Sequence, residues 1–432
     1  MSIRLTVFMA VFNALAGSIT ADVAAFSGAD GAGMYSVGGR GGIVYEVTNL
    51  NDSGEGSFRA GCAEKGPRTI VFRVSGTIKA KSRINIVNPF ITVAGQTAPG
   101  DGVCIRDAEL MIRTHDVIVR YMKFRRGNER EAKGDCLNVM SGAHDVIVDH
   151  CTCTWGTDEN LSCYGATNVT IQWCMIGEGF YGHSCGGLWG PGNSYHHNLI
   201  YSNGTRNPKL AYGKDADVWD IRNNVIYNFG YQSCYGSASG NVNFVNNYYE
   251  YGPGTQDGQV RCRIAVGDGW NVYADGNFVY GCPEITADNW AGGIQGKYVK
   301  SDKPFEAAAV TIQPAKEARK YVLQSAGAKR DAADIRFLNE MKTRTYSFAG
   351  KKGNREYPGI PDSIEQVGGW PELKSQTAVA DADRDGMCDE WEMQNGLSPE
   401  NEEDRNGYTL DKDYTNLEVY INGLCPGPYD KL

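Results

Sequence analysis

The amino-acid sequence predicts an all-β protein folded as a parallel β-helix, a solenoid of stacked coils built from short strands. Three observations predict this fold. The composition favours strands and turns, a strand-like unit recurs along the chain, and no helical period separates its copies. Among the 432 residues, 54 are Gly and 24 are Tyr, while Leu is sparse. This balance favours short strands and tight turns over helix bundles.

The recurring unit consists of two to four alternating apolar residues, a polar pair and another short strand. Its copies end at Met122, Cys151, Cys174, Asn198, Asn224, Asn247 and Asn277, in steps of 29, 23, 24, 26, 23 and 30 residues. Repeats of about 20 to 50 residues are typical of solenoids and propellers, whose units share a core that none can bury alone. A propeller blade needs about four strands, which is more than one unit holds.

Asparagine recurs at the same place in the later copies, at Asn198, Asn224, Asn247 and Asn277. We therefore predict a ladder of side-chain amides at a bend of the coil, because Asn tolerates left-handed backbone angles and hydrogen-bonds to its neighbours. An ordinary β-sandwich with asparagines in its turns is the alternative.

The N-terminal residues predict export. Arg4 provides a minimal basic start, an apolar run extends from Leu5 to Ala16, and small residues follow around Ser18 to Ala21. This pattern is typical of a signal peptide, here residues 1–21, and the run is too short to span a membrane. A buried first strand is the alternative. No later segment is long and apolar enough for a membrane span, so we expect a secreted, periplasmic or cell-surface protein.

The sequence pattern changes after about Pro304. The segments Pro314–Ala326 and Asp331–Met341 show helix-like spacing, and Gly327 fits a stop signal between them. One apolar stripe of the second helix is formed by Ala332, Ile335, Leu338 and Met341. We therefore predict a β-helix domain over residues 22–304, a helical flank over 305–345, and a distinct acidic segment over 346–432.

Charge and cysteine content limit the classes of partner. The net charge of −9 argues against a nucleic-acid partner, because phosphate binding needs a basic surface. An acidic ligand would need a local cationic patch or bound metal ions. The 13 cysteines are an odd number, and export would permit disulfides. Six of them crowd the middle coils, where they could also serve as small buried apolar residues: Cys136, Cys151, Cys153, Cys163, Cys174 and Cys185.

A twelve-residue acidic motif occupies the C-terminal segment. Carboxylates fall at its positions 1, 3, 5, 9 and 12, and Gly386 at position 6 permits the sharp turn of a calcium loop. The spacing predicts a structural calcium site with these ligands: Asp381, Asp383, Asp385, the Met387 backbone carbonyl, Asp389 and Glu392. An acidic solvated loop is the alternative. A second acidic group is a candidate for a paired site: Asp404, Asn406, Asp411, Asp413 and Glu418.

Polar residues crowd the middle coils, where a purely structural strand needs few. Asp135, Asp149 and Asp158 recur there, and Arg206 follows them. Adjacent coils lie about 4.8 Å apart, so residues one repeat apart in the sequence become neighbours in space. We therefore expect the three aspartates to converge on one surface and hold a divalent cation beside Arg206. Surface charge is the alternative role for each acid.

Eight motifs follow one another along the chain: Gly38-Gly39-Arg40-Gly41-Gly42, Val47-Thr48-Asn49-Leu50-Asn51-Asp52-Ser53-Gly54, Val93-Ala94-Gly95-Gln96-Thr97-Ala98-Pro99-Gly100, Val148-Asp149-His150, Trp155-Gly156-Thr157-Asp158-Glu159, His196-His197-Asn198, Arg206-Asn207-Pro208 and Thr286-Ala287-Asp288-Asn289-Trp290-Ala291-Gly292. In this order they resemble the pectate lyase family of polysaccharide lyases, particularly its bacterial branch. The resemblance runs from about Phe26 to Gly293, roughly two thirds of the chain.

The resemblance implies a right-handed, single-stranded parallel β-helix and calcium-dependent cleavage of polygalacturonate by β-elimination, which gives unsaturated oligogalacturonides. In the family, Ca²⁺ bridges protein carboxylates and the sugar carboxylate and acidifies the proton at C5. An arginine takes that proton, and the glycosidic oxygen leaves from C4. Arg206 matches this arginine, while Asp135, Asp149 and Asp158 fall at or near the calcium-ligand positions.

The sequence departs from the family pattern at the substrate-binding positions. Ala211 stands where many members have a second arginine, and Lys209 takes a place often held by arginine. The stretch that contains His183 has no clear equivalent of the family's substrate-binding lysine. We therefore expect Lys209, Lys214 and His183 to contact the substrate.

Two other functions stay open at this point. A lectin-like β-helix would bind pectin without cutting it, and a β-helix hydrolase would need paired carboxylic acids at a set separation. An unsaturated product would distinguish a lyase from both. In each case the expected partner is an acidic polysaccharide, and the chain is expected to act as a monomer.

Overall fold

The computed structural model describes residues 23–130, 132–180, 182–237 and 239–425. The predicted signal peptide, residues 1–21, lies outside the described residues. The strands are, in chain order, β1 (Ile43–Val47), β2 (Arg68–Phe72), β3 (Gly76–Lys79), β4 (Ile84–Ile86), β5 (Ile91–Ala94), β6 (Val103–Arg106), β7 (Leu110–Ile112), β8 (His115–Arg120), β9 (Lys123–Arg125), β10 (Leu137–Val139), β11 (His144–Asp149), β12 (Thr152–Thr154), β13 (Leu161–Cys163), β14 (Thr167–Gln172), β15 (Met175–Gly177), β16 (Leu188–Trp189), β17 (Asn193–His196), β18 (Leu199–Tyr201), β19 (Lys209–Leu210), β20 (Val218–Arg222), β21 (Val225–Tyr227), β22 (Cys234–Gly236), β23 (Gly240–Val245), β24 (Tyr248–Glu250), β25 (Ile264–Asp275), β26 (Phe278–Val279), β27 (Ile294–Lys300), β28 (Ala349–Lys352) and β29 (Arg355–Pro358).

The helices are α1 (Phe58–Ala63), α2 (Pro283–Ala287), α3 (Ala315–Ser325), α4 (Ala332–Thr343), α5 (Asp389–Asn395) and α6 (Asn416–Gly423). Short 3-10 turns lie at Gly95–Thr97, Asp257–Gln259 and Asp404–Asn406. Strands β28 and β29 form an antiparallel hairpin.

The remaining strands pair in parallel and form the three faces of a solenoid. The first face stacks β4, β7, β10, β13, β16, β19 and β22 onto β25 and β27. The second face runs through β1, β2, β5, β8, β11, β14, β17, β20 and β23, again to β25 and β27. The third face is a nine-stranded sheet of β3, β6, β9, β12, β15, β18, β21, β24 and β26. The predicted parallel β-helix is therefore confirmed.

A ladder of buried asparagines marks the bend between the second and third faces. Side-chain amide to side-chain oxygen distances are 3.0 Å from Asn198 to Asn224, 3.1 Å from Asn224 to Asn247, and 3.0 Å from Asn247 to Asn277. Asn277 donates in turn to Asn289 at 2.9 Å. This confirms the predicted amide ladder, since each buried amide finds its partner one coil away.

At this bend the residue directly before the ladder position has a left-handed backbone conformation. In the earlier coils this residue has a ring in its side chain. Positive φ angles occur at Tyr121, His150, Trp173 and His197. Their rings stack from coil to coil, with centroid separations of 4.7, 5.9 and 4.3 Å. Ring stacking between coils therefore occurs at residues with a left-handed backbone conformation, which residues other than glycine rarely adopt.

The inward-facing side chains of the three faces form one continuous core along the solenoid. Cys136, Cys151, Cys153, Cys163 and Cys174 belong to this core, and they form no disulfide among the described residues. Burial raises the pKa of Cys163 to about 12. The Cys163 thiol therefore stays protonated, and the five cysteines pack as small apolar groups, which was one of the two predicted roles.

The helical flank covers the third face. Helix α4 begins at a capping box made by Asp331, and Phe337 and Met341 pack with Tyr201 and Tyr227 of the solenoid. The predicted apolar stripe was wrong at Ala332, which is exposed, and at Ile335, which is 51% exposed. The reason is electrostatic, because the face that carries Asp334 is drawn inward by Arg125. The guanidinium of Arg125 lies 2.7 Å from Asp331 and 2.9 Å from Asp334.

Terminal segments cover the second face. Phe26 and its neighbours pack on Ile118 and Ile147, and the C-terminal segment packs through Leu417 and Tyr420 on Ala94. Other parts of the C-terminal segment pack on loops that lead from the third face to the first, with Ile364 against Trp155 and Phe180. Within the described part of the chain, no helix has the length and apolar character needed to cross a membrane.

Candidate active site

Four consecutive coils present polar side chains at the bend that leads from the third face to the first. Asp135 lies directly before β10, and Asp158 and Glu159 lie before β13. His183 lies in the loop before β16, and Arg206 lies before β19. Since the coils stack in register, loops at the same bend lie side by side. We call this set of five residues the bend cluster.

Backbone pairing holds these loops together. Glu159 forms a parallel bridge with Cys185, and Cys185 forms another with Thr205. Gly186 is required at this approach, because a Cβ there would lie 2.4 Å from the backbone oxygen of Arg206. The loops therefore stack as closely as strands do, although they are not regular strands.

A second set of buried amides supports the same bend. The side chain of Asn160 donates to Asn203 at 2.9 Å, and Asn203 donates to Asn207 at 3.1 Å. Asn160 also accepts the backbone N–H of Gly156 at 2.8 Å. This chain of amides fixes the loops that carry Glu159 and Arg206, and sequence reasoning missed it because its members follow no single spacing.

Arg206 faces the carboxylates of the preceding coils. Its guanidinium forms an ion pair with Glu159, and its Nη1 lies 3.8 Å from Oδ1 of Asp158. The Arg206 side chain is 18% exposed, whereas that of Glu159 is 4% exposed. Within this ion pair, Glu159 is therefore buried and Arg206 is partly exposed to solvent.

The acidic groups of the cluster support one another. Nε2 of His183 lies 2.9 Å from Oδ1 of Asp158, and the backbone N–H of Glu159 donates to Asp135 at 3.1 Å. Burial, together with the negative charges of Asp158 and Glu109, raises the pKa of Asp135 to about 7. Negative charge is thus crowded at this bend, which favours binding of a cation.

The donor set fits a hard cation such as Ca²⁺. Ligand atoms of Asp158, Glu159, His183 and Cys185 lie within 4.8 Å of one another. The buried Cys185 thiol is a poor ligand, because burial raises its pKa well above the usual value and keeps it protonated. The carboxylate oxygens of Asp158 and Glu159 are ligands that calcium prefers, whereas Asp135 lies outside this group and accepts the backbone N–H of Glu159. Glu159 was not among the residues predicted as ligands, although it directly follows Asp158.

Asp149 does not join the bend cluster, and its predicted place there was wrong. It ends β11 at the bend between the second and third faces, where its fully buried carboxylate has partners of its own. Arg120 lies 2.9 Å away, His150 2.8 Å and Gln172 2.8 Å. Asp149 recurs at the right interval along the chain but at a different bend of the coil. It is a structural ion-pair residue.

Two of the three predicted substrate contacts lie at the cluster. Lys209 begins β19 directly after the Arg206 loop, and its Nζ lies 5.6 Å from the ring centre of Tyr235. Burial and the charge of Arg206 lower the pKa of Lys209. His183 is held by Asp158. Lys214 is exposed in the loop beyond β19, where its backbone N–H donates to Asp217 at 2.8 Å.

The C-terminal acidic motif gathers most of its predicted ligands. Ligand oxygens of Asp381, Asp383 and Asp385 lie within 4.8 Å of one another, and a second such group joins Asp385 and Glu392 to Asp404. Burial and nearby carboxylates raise the pKa of Asp385 to about 8 and that of Glu392 to about 7. The Met387 side chain packs in an apolar cluster with Leu417 and Tyr420.

Asp389 and the second acidic group differ from the prediction. Oδ1 of Asp389 accepts the backbone N–H of Ala382 at 2.8 Å, and Asp389 belongs to neither carboxylate group. Asp411 accepts the N–H groups of its own turn, and Glu418 pairs with Arg40 at 2.8 Å. The second acidic group therefore does not gather as a site of its own, whereas Asp404 joins the first motif.

Comparison with known proteins decides the family. A scan against models of known protein families found no match. The chain is 35% identical over 429 residues to "Probable pectate lyase C" of Aspergillus flavus, covering 95% of this chain and 96% of that protein. The protein of the same name from Aspergillus fumigatus is 35% identical over 432 residues, covering 96% and 97%. The chain belongs to the pectate lyase family. The predicted bacterial branch is not supported, because these relatives are fungal.

Solved structures share the solenoid of this pectate lyase family member. The crystal structure of the major allergen from cedar pollen matches with a TM-score of 0.56 at 17% identity, covering 69% of this chain and 92% of that one. A variant of Bacillus subtilis pectate lyase matches with a TM-score of 0.52 at 15% identity, covering 70% and 97%. Both likenesses support the fold.

Proposed function

We propose that this member of the pectate lyase family cleaves polygalacturonate by calcium-dependent β-elimination and releases unsaturated oligogalacturonides. One observation carries the proposal. Arg206 lies against the carboxylates of Asp158 and Glu159, beside Asp135, at a bend where the side chains of Asp158 and Arg206 are 36% and 18% exposed. The membership of the chain in this family supports the same reaction.

The acidic side of the bend cluster would hold the cation. Asp135, Asp158 and Glu159 provide oxygen ligands, and His183 orients Asp158 from outside. Bound calcium would supply the positive charge that acidifies the C5 proton of a uronate and stabilises the negative charge of the intermediate. Three carboxylates beside one arginine give this bend a net negative charge, which a bound dication would neutralise.

Arg206 would act on the C5 proton. A guanidinium is protonated near neutral pH, so it must give up a proton before it can accept one. Glu159 and Asp158 lie against the Arg206 guanidinium, and a cation bound to these carboxylates would compete with the guanidinium for them.

Substrate carboxylates would be bound by the basic side of the site. Lys209 follows Arg206 by three residues on the first face, and His183 lies on the loop of the preceding coil. Both can donate hydrogen bonds to an acidic sugar. Lys214 is exposed in the loop beyond β19, at the other end of this first-face strand, where a longer chain of uronates would pass. We also propose that the protein is secreted, because of its N-terminal residues, and separately that it acts as a monomer.

The calcium requirement tests this proposal. We expect purified protein to generate the ultraviolet absorbance of unsaturated uronate from polygalacturonate in the presence of calcium. EDTA should abolish this activity, and added calcium should restore it, because three carboxylates at one bend are neutralised only when the cation is bound. Activity that persists unchanged in excess chelator would contradict a role for calcium in the reaction.

A further inference from the structure

The C-terminal segment contains a cluster of five carboxylates, formed by Asp381, Asp383, Asp385, Glu392 and Asp404. It lies apart from the bend cluster in the chain and packs against the first coils of the second face. Four of its members come from the twelve-residue motif, and Asp404 comes from the 3-10 turn beyond α5. We call it the clamp cluster.

Buried oxygens of the clamp cluster lack partners within the described part of the chain. Glu392 and Asp385 are 0% exposed. Both carboxylate oxygens of Glu392 and Oδ2 of Asp385 have no hydrogen-bond partner, and the same holds for Oδ2 of Asp383 and Oδ1 of Asp404. Buried carboxylate oxygens without partners are unfavourable, so their convergence indicates a missing positive ligand.

The charge balance supports the same conclusion. Among the described residues, a salt bridge reaches the clamp cluster from Arg73, whose Nη1 lies 3.2 Å from Oδ2 of Asp381. No lysine or arginine of the described chain forms a salt bridge with Asp383, Asp385, Glu392 or Asp404 within 4.0 Å. One guanidinium cannot neutralise five carboxylates, and hard oxygen donors at this number suit Ca²⁺.

Backbone N–H groups of the loop orient two of these carboxylates, those of Asp381 and Asp385. The N–H groups of Asp385 and Gly386 donate to Asp381 at 3.2 Å each, and that of Met387 donates to Asp385 at 2.8 Å. Gly386 has a φ of 90°, which provides the sharp turn. Oδ1 of Asp389 instead accepts the N–H of Ala382. Asp404 therefore takes the ligand position that the spacing of the motif predicted for Asp389.

We propose that the clamp cluster binds a second divalent calcium ion, with Asp404 rather than Asp389 as a ligand, and that this ion fastens the C-terminal segment to the first coils. The fastening runs through Arg73, which follows β2 and also pairs with Glu46 at 3.3 Å. Apolar contacts of Met387, Leu417 and Val44 adjoin it. The ion stabilises the fold and takes no part in cleavage, so this proposal stands apart from the proposed reaction.

The matched variants Asp404→Asn and Asp389→Asn of the full chain test this proposal by thermal unfolding in calcium chloride and in EDTA. Calcium raises Tm when it binds the folded state alone. We expect Asp404→Asn to lose the part of the rise in Tm that calcium bound at the clamp cluster produces. It should also bind one calcium ion fewer per chain, as measured by calorimetry. Asp389→Asn should keep both the full rise in Tm and the number of bound ions, although the spacing of the motif predicts Asp389 as a ligand.

A third variant separates the two calcium sites. Asp158→Asn removes a ligand of the bend cluster, so it should lose activity at low calcium but retain a calcium-dependent rise in Tm. Combining it with Asp404→Asn should remove the rise. The proposal would be overturned if Asp404→Asn bound as many ions as the wild type, or if Asp389→Asn behaved like Asp404→Asn. The same Tm in EDTA for all variants would show that each one folds.

Discussion

Replacing Arg206 with alanine is expected to lower kcat by about 10²–10⁴-fold at saturating calcium, the usual contribution of a group that moves a proton in the transition state. The loss follows because no other guanidinium of the described chain forms an ion pair with the carboxylates of Asp158 and Glu159. Initial rates on polygalacturonate, measured with calcium titrated to saturation, provide the value. Calcium must be saturating, since the variant leaves Glu159 buried without its partner.

Arg222→Ala is the matched control for this variant. Arg222 is 16% exposed, close to the 18% of Arg206, and it also pairs with a buried acid, Asp220, at 2.7 Å. It lies on the second face, away from the bend cluster. Both variants should lose similar stability, whereas only Arg206→Ala should lose turnover. A kcat within about tenfold of wild type for Arg206→Ala would remove this residue from the proposed chemistry.

Replacing Asp149 with asparagine is expected to destabilise the protein by about 3–5 kcal/mol, because it leaves the buried Arg120 without its anionic partner. The charges of His150 and Arg120 outweigh the effect of burial and hold the pKa of Asp149 well below its usual value. A lowered pKa gives stability that is fully present above about pH 4, the unfolded value, and is lost as the pH falls further. Denaturant unfolding at neutral pH measures the difference.

Asp145→Asn provides the control for Asp149. Asp145 also adjoins a histidine, His144, at 2.6 Å, but its side chain is 37% exposed. Exposed pairs contribute about 0–1 kcal/mol, so this variant should remain close to wild type in stability. Both variants should keep the calcium requirement of the wild type. If Asp149→Asn were as stable as wild type but needed far more calcium, Asp149 would be a ligand after all.

The repeat could be predicted from sequence because its signal is local. The last residue of each copy returns every 23 to 30 residues, and the structure places Asn198, Asn224, Asn247 and Asn277 in one ladder. What the period does not tell is which bend of the coil a residue occupies. Asp149 and Asp158 are nine positions apart, yet Asp149 lies at the bend between the second and third faces and Asp158 at the bend between the third and first.

Residues that depend on the packing of covering segments were harder to predict. Ile335 has the right spacing for an apolar stripe, but the buried pairing of Asp334 with Arg125 turns another face of α4 inward. Glu159 follows Asp158 directly and could have been considered. Asp404 was predicted in a separate acidic group, and its place beside Glu392 depends on the path of the chain after α5 rather than on the loop spacing.

The chemical nature of the product tests the central claim most directly. Mass spectrometry of polygalacturonate digested by the wild-type protein in calcium should show oligogalacturonides lighter by one water than hydrolysis products, because elimination leaves a double bond. The Arg206→Ala digest should lack them. Saturated oligogalacturonides would indicate a hydrolase on the same solenoid, and a bound but uncut polymer would indicate a lectin. Either result would contradict elimination at the bend cluster.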